Sequence, residues 1–436
     1  MKIAVIGSGI AGLGAAWALN RRHDVTLYEA DARLGGHANT IDVEDGHRTI
    51  PVDTGFIVYN ERNYPNLVRL FDTLGVATEP SDMSFSASIG GGSFEYRARA
   101  LGLLAQPANL FRPSYLRMVR EIVRFSREAK RLVADEAAAP TGISTGEWLA
   151  RAGYSGAFRD DFLQPMVACI WSSNLRGMLE YPAATMAGFL DNHGLLDLGD
   201  RPQWRTVTGG SREYVRRVAA TLDDVRLATP VGSVTREPDA TAVRDARGRT
   251  ERFDHAVLAT HADTALRLLG DDATRDERRL LGSFPYQENL AVVHRDVSLM
   301  PKRRRAWSSW NYLARERGGR GPVSLTYSMN MLQNLDTDRP VLVTLNPYEP
   351  PRGALASFTY HHPQFDGASV DAQAALPSVQ GARRTWFCGS YCGYGFHEDG
   401  LRSGLDVAAS LGSPAPWASQ EPADPDRARD AVLVGG

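Results

Sequence analysis

The sequence predicts an α/β protein in which an open parallel sheet is assembled from three separated pieces of chain. A second unit of mixed sheet and helices is inserted between them. Three observations carry this prediction. The apolar run Lys2-Ile3-Ala4-Val5-Ile6 enters the glycine turn Gly7-Ser8-Gly9-Ile10-Ala11-Gly12, and a helical run then leads to Val25-Thr26-Leu27-Tyr28-Glu29. Strand-and-glycine pieces return around residues 208–261 and 384–411. Between them the pattern turns helical over 98–200 and strand-like and aromatic over 263–372.

The first element is a βαβ unit with the dinucleotide fingerprint of a Rossmann-like domain. Gly7 permits the tight turn, Gly9 lets the backbone approach a pyrophosphate, and Gly12 allows close packing of helix on strand. The helix begins at Ile10-Ala11, where free N–H groups and the positive dipole end favour phosphate. Glu29 stands twenty residues after Gly9, in place to accept a hydrogen bond from a ribose hydroxyl. Ala30, Arg33 and the pair Gly35-Gly36 follow, with His37 directly after them.

Strands are expected over 38–58, leading into Asp53-Thr54-Gly55-Phe56, where Gly55 permits a close backbone approach. Leu67, Leu70, Phe71 and Leu74 have helical spacing, and Gly75 ends that helix. Met83–Ser86 and Ser93–Tyr96 flank three glycines and read as a hairpin. Leu101–Leu104 and Leu110–Phe111 form an apolar segment with little polar cover. The helix after it, 114–133, carries Leu116, Val119 and Val123 on one stripe and Arg117, Arg120, Arg124, Arg127 and Arg131 on a second. Two readings stand: a core-packed surface helix, or a cationic amphipathic helix on an anionic membrane. The loop Lys302-Arg303-Arg304-Arg305 has the same two readings.

Residues 225–231 read as one strand, and 255–261 as a buried strand that includes Ala259. The last motif is a strand, Gly389, then His397-Glu398-Asp399-Gly400-Leu401 opening a helix over 400–411. From residue 413 the chain lacks periodicity and reads as a flexible tail. The expected division is therefore a cofactor domain of 1–85, 201–262 and 373–412 and a substrate domain of 86–200 and 263–372.

The 436 residues suffice for two such units, and a formal net charge of −2 gives no case for nucleic acid. Cys169, Cys388 and Cys392 suggest packing residues in a reducing compartment rather than a disulfide framework or redox pair. No cysteine–histidine spacing suggests a metal. The first residues read as a strand rather than a signal peptide and no run is long and apolar enough to span a bilayer, so the expected location is cytoplasmic, at most at the inner face of the membrane.

Arg33-Leu34-Gly35-Gly36 after the acidic strand end resembles the FAD-binding start of the flavin amine oxidase and phytoene desaturase superfamily, where the arginine and glycines help hold the diphosphate. Unlike many amine oxidases, this chain has His37 rather than arginine after the glycine pair. The resemblance implies an amine oxidase-like fold, an FAD-dependent oxidoreductase, and cofactor contacts at Gly7, Gly9, Ile10, Ala11, Gly12, Glu29, Ala30, Arg33, Gly35, Gly36, Thr54, Gly55, Phe56, Val231, Ala259, Gly389, Asp399, Gly400 and Leu401. Amine oxidases of the superfamily use a lysine near the flavin. Here the lysines are Lys2, Lys130 and Lys302, and only Lys302 is a candidate. Tyr391, Tyr394 and Phe396 suit either an aromatic cage or an acyl tunnel.

Asp53–Asn60, Trp307–Tyr312 and Gly393–Gly400 are similar to a bacterial group of FAD-binding oxidoreductases related to the flavoprotein domain of plant cyclopropane fatty acid synthases. That likeness implies a lipid acyl chain as substrate, desaturated by hydride transfer to flavin with dioxygen as final acceptor. It also implies a cyclopropane-synthase-like methyltransferase as partner, and the cationic helix, apolar segment and basic loop are compatible with a lipid substrate through peripheral membrane contact at 101–131 and 302–305. The candidate bases are His397, Glu398 and His37; His193, His361 and His362 are weaker candidates. The alternatives are an amine oxidase acting on a small amine and a non-catalytic flavoprotein partner of the methyltransferase.

Overall fold

A computed structural model describes residues 1–98, 100–138, 142–171, 179–192, 194–197, 199, 202–317 and 324–418. The apolar strands predicted in the three separated pieces do meet in one sheet. Its order is Asp224–Arg226, Asp24–Tyr28, Lys2–Ile6, His255–Leu258 and Thr385–Phe387. All four pairings are parallel, with Ile3 opposite both Val25 and His255. A parallel sheet needs both faces covered. The helices Ile10–Leu19, Pro65–Leu74, Arg212–Ala219 and His397–Ser410 pack into a core on one face. Ala262–Leu269 and Arg275–Leu281 pack into a core on the other.

That last packing shifts an expected boundary. Residues 263–284, read from sequence as substrate-side, bury Ala265, Leu268, Leu280 and Phe284 against Ala4, Ile6 and Phe387 of the parallel sheet. Residues 225–231 are not one strand either. Asp224–Arg226 pairs with Asp24–Tyr28, whereas Val231–Arg236 starts a separate antiparallel sheet. Ala228 has a φ of 48° and breaks the run, and Pro230 has no N–H to donate to a ladder.

The second unit is a seven-stranded mixed sheet, in the order Ala356–Pro363, Tyr286–His294, Leu342–Leu345, Ser324–Ser328, Trp310–Ala314, Phe85–Ile89 and Phe94–Arg97. The predicted hairpin supplies its last two strands, and one parallel pairing, Trp310 with Phe85, joins them to the rest. The long helix Pro113–Ala138 packs beside it with Gln164–Trp171 and Ala183–Asn192.

The tail is shorter than the sequence suggests. Ser413 donates to the Ala18 carbonyl at 2.6 Å. Trp417 is buried, stacks on Trp17 at 5.5 Å between ring centres, and donates its indole N–H to Asn66 at 3.0 Å. Residues 419–436 lie outside the described part.

Candidate active site

The parallel sheet and the mixed sheet face one continuous cavity of about 1350 Å³. One limb is walled by backbone. Gly7 turns with a φ of 103°, and a Cβ at Gly12 would lie 1.9 Å from the Gly7 carbonyl oxygen, so helix and strand touch there. At Gly9 a Cβ would meet nothing within 4 Å, because Gly9 faces the cavity. A Cβ at Gly36 would come within 3.1 Å of the Gly9 Cα, so the two glycine loops form one floor. The helix Ile10–Leu19 starts there with no side-chain cap, which leaves its first N–H groups free for a ligand. The Glu29 carboxylate accepts from the Ser8 N–H at 2.9 Å and the Asp31 N–H at 2.8 Å. It lines the same limb. An open glycine floor, uncapped N–H groups and a positioned carboxylate suit a diphosphate dinucleotide.

Most predicted cofactor residues come together on this wall: Gly7, Gly9, Ile10, Ala11, Glu29, Ala30, Gly36, Thr54, Gly55, Phe56, Ala259 and Gly389. Gly12 lies just behind them. Gly55 passes so close to His37 that a Cβ would sit 2.2 Å from its carbonyl oxygen.

The others do not line it. Arg33 turns inward on its own loop and donates to the Gly36 carbonyl at 2.9 Å; it shapes the glycine floor. Gly35 lies beneath, where a Cβ would meet the Ala38 carbonyl oxygen at 2.5 Å. Val231 begins its own sheet. Gly400 serves helix packing, since a Cβ there would meet Ile10 at 2.9 Å. Leu401 is fully buried against Gly14. Asp399 accepts from the Phe396 N–H at 2.9 Å and pairs with Arg402 at 3.1 Å.

Glu398 is the clearest correction among the proposed bases. Its carboxylate accepts from the Asn66 N–H at 2.9 Å, the Asn66 side chain at 2.7 Å and the Leu67 N–H at 3.0 Å. It thus caps the helix Pro65–Leu74 from 331 residues away in sequence, and it is absent from the cavity wall. Burial pushes its carboxyl up to about 7. The sequence signal was present but ambiguous, because an acid beside a histidine marks both bases and caps.

His37 and His397 do line the cavity. His397 Nε2 lies 2.8 Å from the Tyr214 hydroxyl, and its ring stacks on Phe56 with 3.7 Å between centres. Burial pushes it down to about 3, so it is neutral. His37 Nε2 is buried with no hydrogen-bond partner among the described residues. Burial, then the neighbouring histidines His362 and His261, hold it well below its usual value. His37 and His362 are separate candidates in the sequence, and the fold brings them together. His37 lies 5.3 Å from His362, 6.4 Å from His261 and 4.9 Å from Tyr360, ring centre to ring centre. Tyr360 in turn holds Thr54 at 2.6 Å and Asn39 at 3.0 Å. No group of three ligating side chains is placed to hold a metal among the described residues. His193 lies outside them.

His362 accepts at Nδ1 from the Asn289 amide at 2.8 Å, and burial pushes it down to about 4. Below pH 6.5 the unfolded chain therefore binds a proton at this site that the folded chain refuses, so its contribution to stability falls as pH falls from 6.5 toward 4. Urea denaturation at pH 7 and pH 5 checks this: His362→Gln loses less stability than the parent protein on acidification.

The second limb runs away from the glycine floor and is apolar. Val119, Ile122, Phe125, Phe162, Met166 and Phe189 wall it. Among the described residues, the acids on the wall are Glu29, Asp31 and Asp82, and Asp82 faces Arg97 at 3.6 Å. No lysine lines it; Lys302 lies over Gly92 of the hairpin instead. Of the aromatic trio, Tyr391 and Phe396 reach the wall, while Tyr394 packs near Phe189 at 5.7 Å. Cys388 and Cys392 are off the wall, and burial raises both thiols, Cys392 to about 12.

A parallel sheet with a dinucleotide floor, opened onto a second sheet that completes the cavity, defines a nucleotide-cofactor oxidoreductase. The chain belongs to the family of flavin containing amine oxidoreductases, which matches residues 10–295. It is accordingly an FAD-dependent oxidoreductase, and the floor described above fits FAD. Similar solved structures share the fold. Putrescine oxidase bound to putrescine matches at 17% identity and a TM-score of 0.68, covering 94% of this chain and 99% of that one. A cyclohexylamine oxidase from Brevibacterium oxydans IH-35A matches at 18% and 0.69, and a CLA-producing fatty acid isomerase from P. acnes at 16% and 0.67. Each of these two covers 94% of this chain and 98% of its own. No curated protein matches the sequence.

Proposed function

We propose that the protein dehydrogenates the acyl chain of a membrane lipid. The observation that carries this reading is the apolar limb, continuous with the cofactor floor and, among the described residues, without a free carboxylate or lysine on its wall. A small cationic amine finds no charge partner among those residues. Each methylene moved from water into such a wall contributes about 0.8 kcal/mol, so an acyl chain binds without an ion pair. The likeness of Gly393–Gly400 and Trp307–Tyr312 to the flavoprotein domain of plant cyclopropane synthases supports the same reading, with a methyltransferase working on the same lipid as expected partner. The fold is shared by a fatty acid isomerase as well as by amine oxidases.

Bound FAD supplies the acceptor for a hydride from carbon. The chain's own residues do the rest. Gly7, Gly9, Ile10, Ala11, Glu29 and Gly36 hold the dinucleotide. Phe56 and His397 form one rigid aromatic plate, fixed by Tyr214. His37, neutral and without a partner at Nε2 among the described residues, takes the second hydrogen as a proton. The hydride leaves a carbon activated by a neighbouring double bond, so the balance is –CH=CH–CH2–CH2– plus dioxygen giving –CH=CH–CH=CH– plus hydrogen peroxide. Lipid mass spectrometry of cells with and without the protein tests this: acyl species lighter by two hydrogens are expected only with it. Unchanged lipids, together with peroxide release by the purified protein on small amines, would instead establish the amine oxidase alternative.

A further inference from the structure

We infer that the surface built by residues 104–131 docks onto an anionic lipid bilayer and turns the mouth of the apolar limb toward it. Among the described residues, large apolar side chains left exposed concentrate here. Leu104, Leu110, Leu116 and Val123 are 40–44% exposed, and Phe111 is 88% exposed. Phe111 ends a short 3-10 turn immediately before the long helix Pro113–Ala138. A phenylalanine that exposed offers nothing to the folding of the chain, and single exposed apolar residues need no explanation, whereas a contiguous group does.

The charges on the same helix divide into two sets. Arg117 pairs with Glu121 at 3.1 Å, and Arg124 pairs with Glu128 and lies over the Tyr154 ring. These two are spent on the fold, as is Lys130, which meets Asp191 at 3.3 Å and Asp197 at 2.6 Å. Arg120, Arg127 and Arg131 are exposed and meet no acid among the described residues. At 3.6 residues per turn, Leu116, Arg120, Val123, Arg127 and Arg131 fall within about 80° of one arc. Unpaired cations interleaved with exposed apolar side chains on one face match an interfacial helix, with the apolar groups entering the headgroup boundary and the arginines meeting lipid phosphate. A solvated face would carry acids as well.

The flank continues the same sign. Arg112 donates to the Ser93 carbonyl at 3.1 Å and Arg303 to the Gly92 carbonyl at 2.8 Å, so both sit on one hairpin end. Lys302, Arg304 and Arg305 beside them are exposed. Arg303 itself is bound to Glu95 and takes no part.

The patch is continuous with the cavity. Val123 is 40% exposed and also lies on the cavity wall; Leu103, Val119 and Ile122 line the wall beside it. Because patch and wall share Val123, the proposed mouth of the apolar limb lies at the face with the free arginines. A lipid chain passes from bilayer to cavity there without crossing water.

Docking rests on the surface alone and is tested apart from the chemistry. The flavin-loaded protein is sedimented with vesicles of phosphatidylglycerol and phosphatidylcholine whose chains are saturated and methyl-branched, so no double bond is offered. Binding is expected to anionic vesicles and to weaken steeply with salt. The triple variant Arg120→Gln/Arg127→Gln/Arg131→Gln is expected to lose roughly a hundredfold in partitioning, and Phe111→Ser roughly tenfold. Each is checked for an unchanged flavin spectrum and melting temperature. Leu290→Ser, which removes an exposed leucine outside the patch, is expected to bind as the parent does. Failure of the parent to bind anionic vesicles, parent-like binding by both patch variants, or an equal loss in Leu290→Ser overturns the proposal, and the first of these would leave an acidic protein partner for this face. None of those results bears on whether an acyl chain is dehydrogenated.

Discussion

Gly12→Ala is expected to yield protein that retains little or no FAD. The added Cβ would stand 1.9 Å from the Gly7 carbonyl oxygen and 3.1 Å from the Ala259 Cβ. Both neighbours are held by the sheet: the Gly7 N–H donates to Tyr28 at 2.9 Å, and the Ala259 N–H to Ile6 at 2.9 Å. Neither moves without pulling the helix Ile10–Leu19 off the strand Lys2–Ile6. Overpacking a well-packed core typically costs about 1–3 kcal/mol, and a backbone clash exceeds that. The displaced element is the one whose first N–H groups face the cofactor limb. The flavin-to-protein ratio after purification is the readout. Gly9→Ala is the contrasting case, because its Cβ meets no protein atom: the fold should stand, with any loss confined to FAD affinity.

Arg236→Ala is expected to destabilise the protein by about 3–5 kcal/mol, the range for removing one partner of a buried ion pair. The Arg236 and Glu277 side chains are both fully buried and meet at 2.5 Å. Arg236 also reaches Asp272 at 3.2 Å, and Arg383 joins the same acid at 2.6 Å. The pair ties the strand Val231–Arg236 to the helix Arg275–Leu281, and Asp272 extends the tie to the segment before the last sheet strand. Removing the guanidinium strands the Glu277 carboxylate in the interior. Arg236→Met with Glu277→Leu removes both charges and should cost much less. Chemical denaturation of the three proteins measures the difference.

The sequence was legible where structure is local. The glycine spacing from Gly7 to Gly12, the acid at Glu29 and the hairpin glycines at 90–92 each act within a few residues of their own position. The same holds for the helix ended by Gly75, whose φ is 65°. Roles that depend on distant partners were hidden. Nothing in the neighbourhood of Glu398 announces Asn66 as its partner, nor does Trp417 announce Trp17. The histidine cluster draws on residues 37, 261, 361–362 and 397, brought together only when the mixed sheet closes against the parallel one. Arg33 was misplaced because a family role was carried to a side chain that here bonds its own loop. The apolar limb was half legible. The stripe at Val119 and Val123 was visible, but its two possible faces, core or bilayer, differ only in what packs against them.

Anaerobic titration of the purified flavoprotein asks whether the apolar limb presents an acyl chain to the flavin, as proposed. Monounsaturated phospholipid in detergent micelles is expected to bleach the oxidised flavin absorbance, while putrescine and cyclohexylamine leave it unchanged. Bleaching by the amines with no response to the lipid would contradict the account.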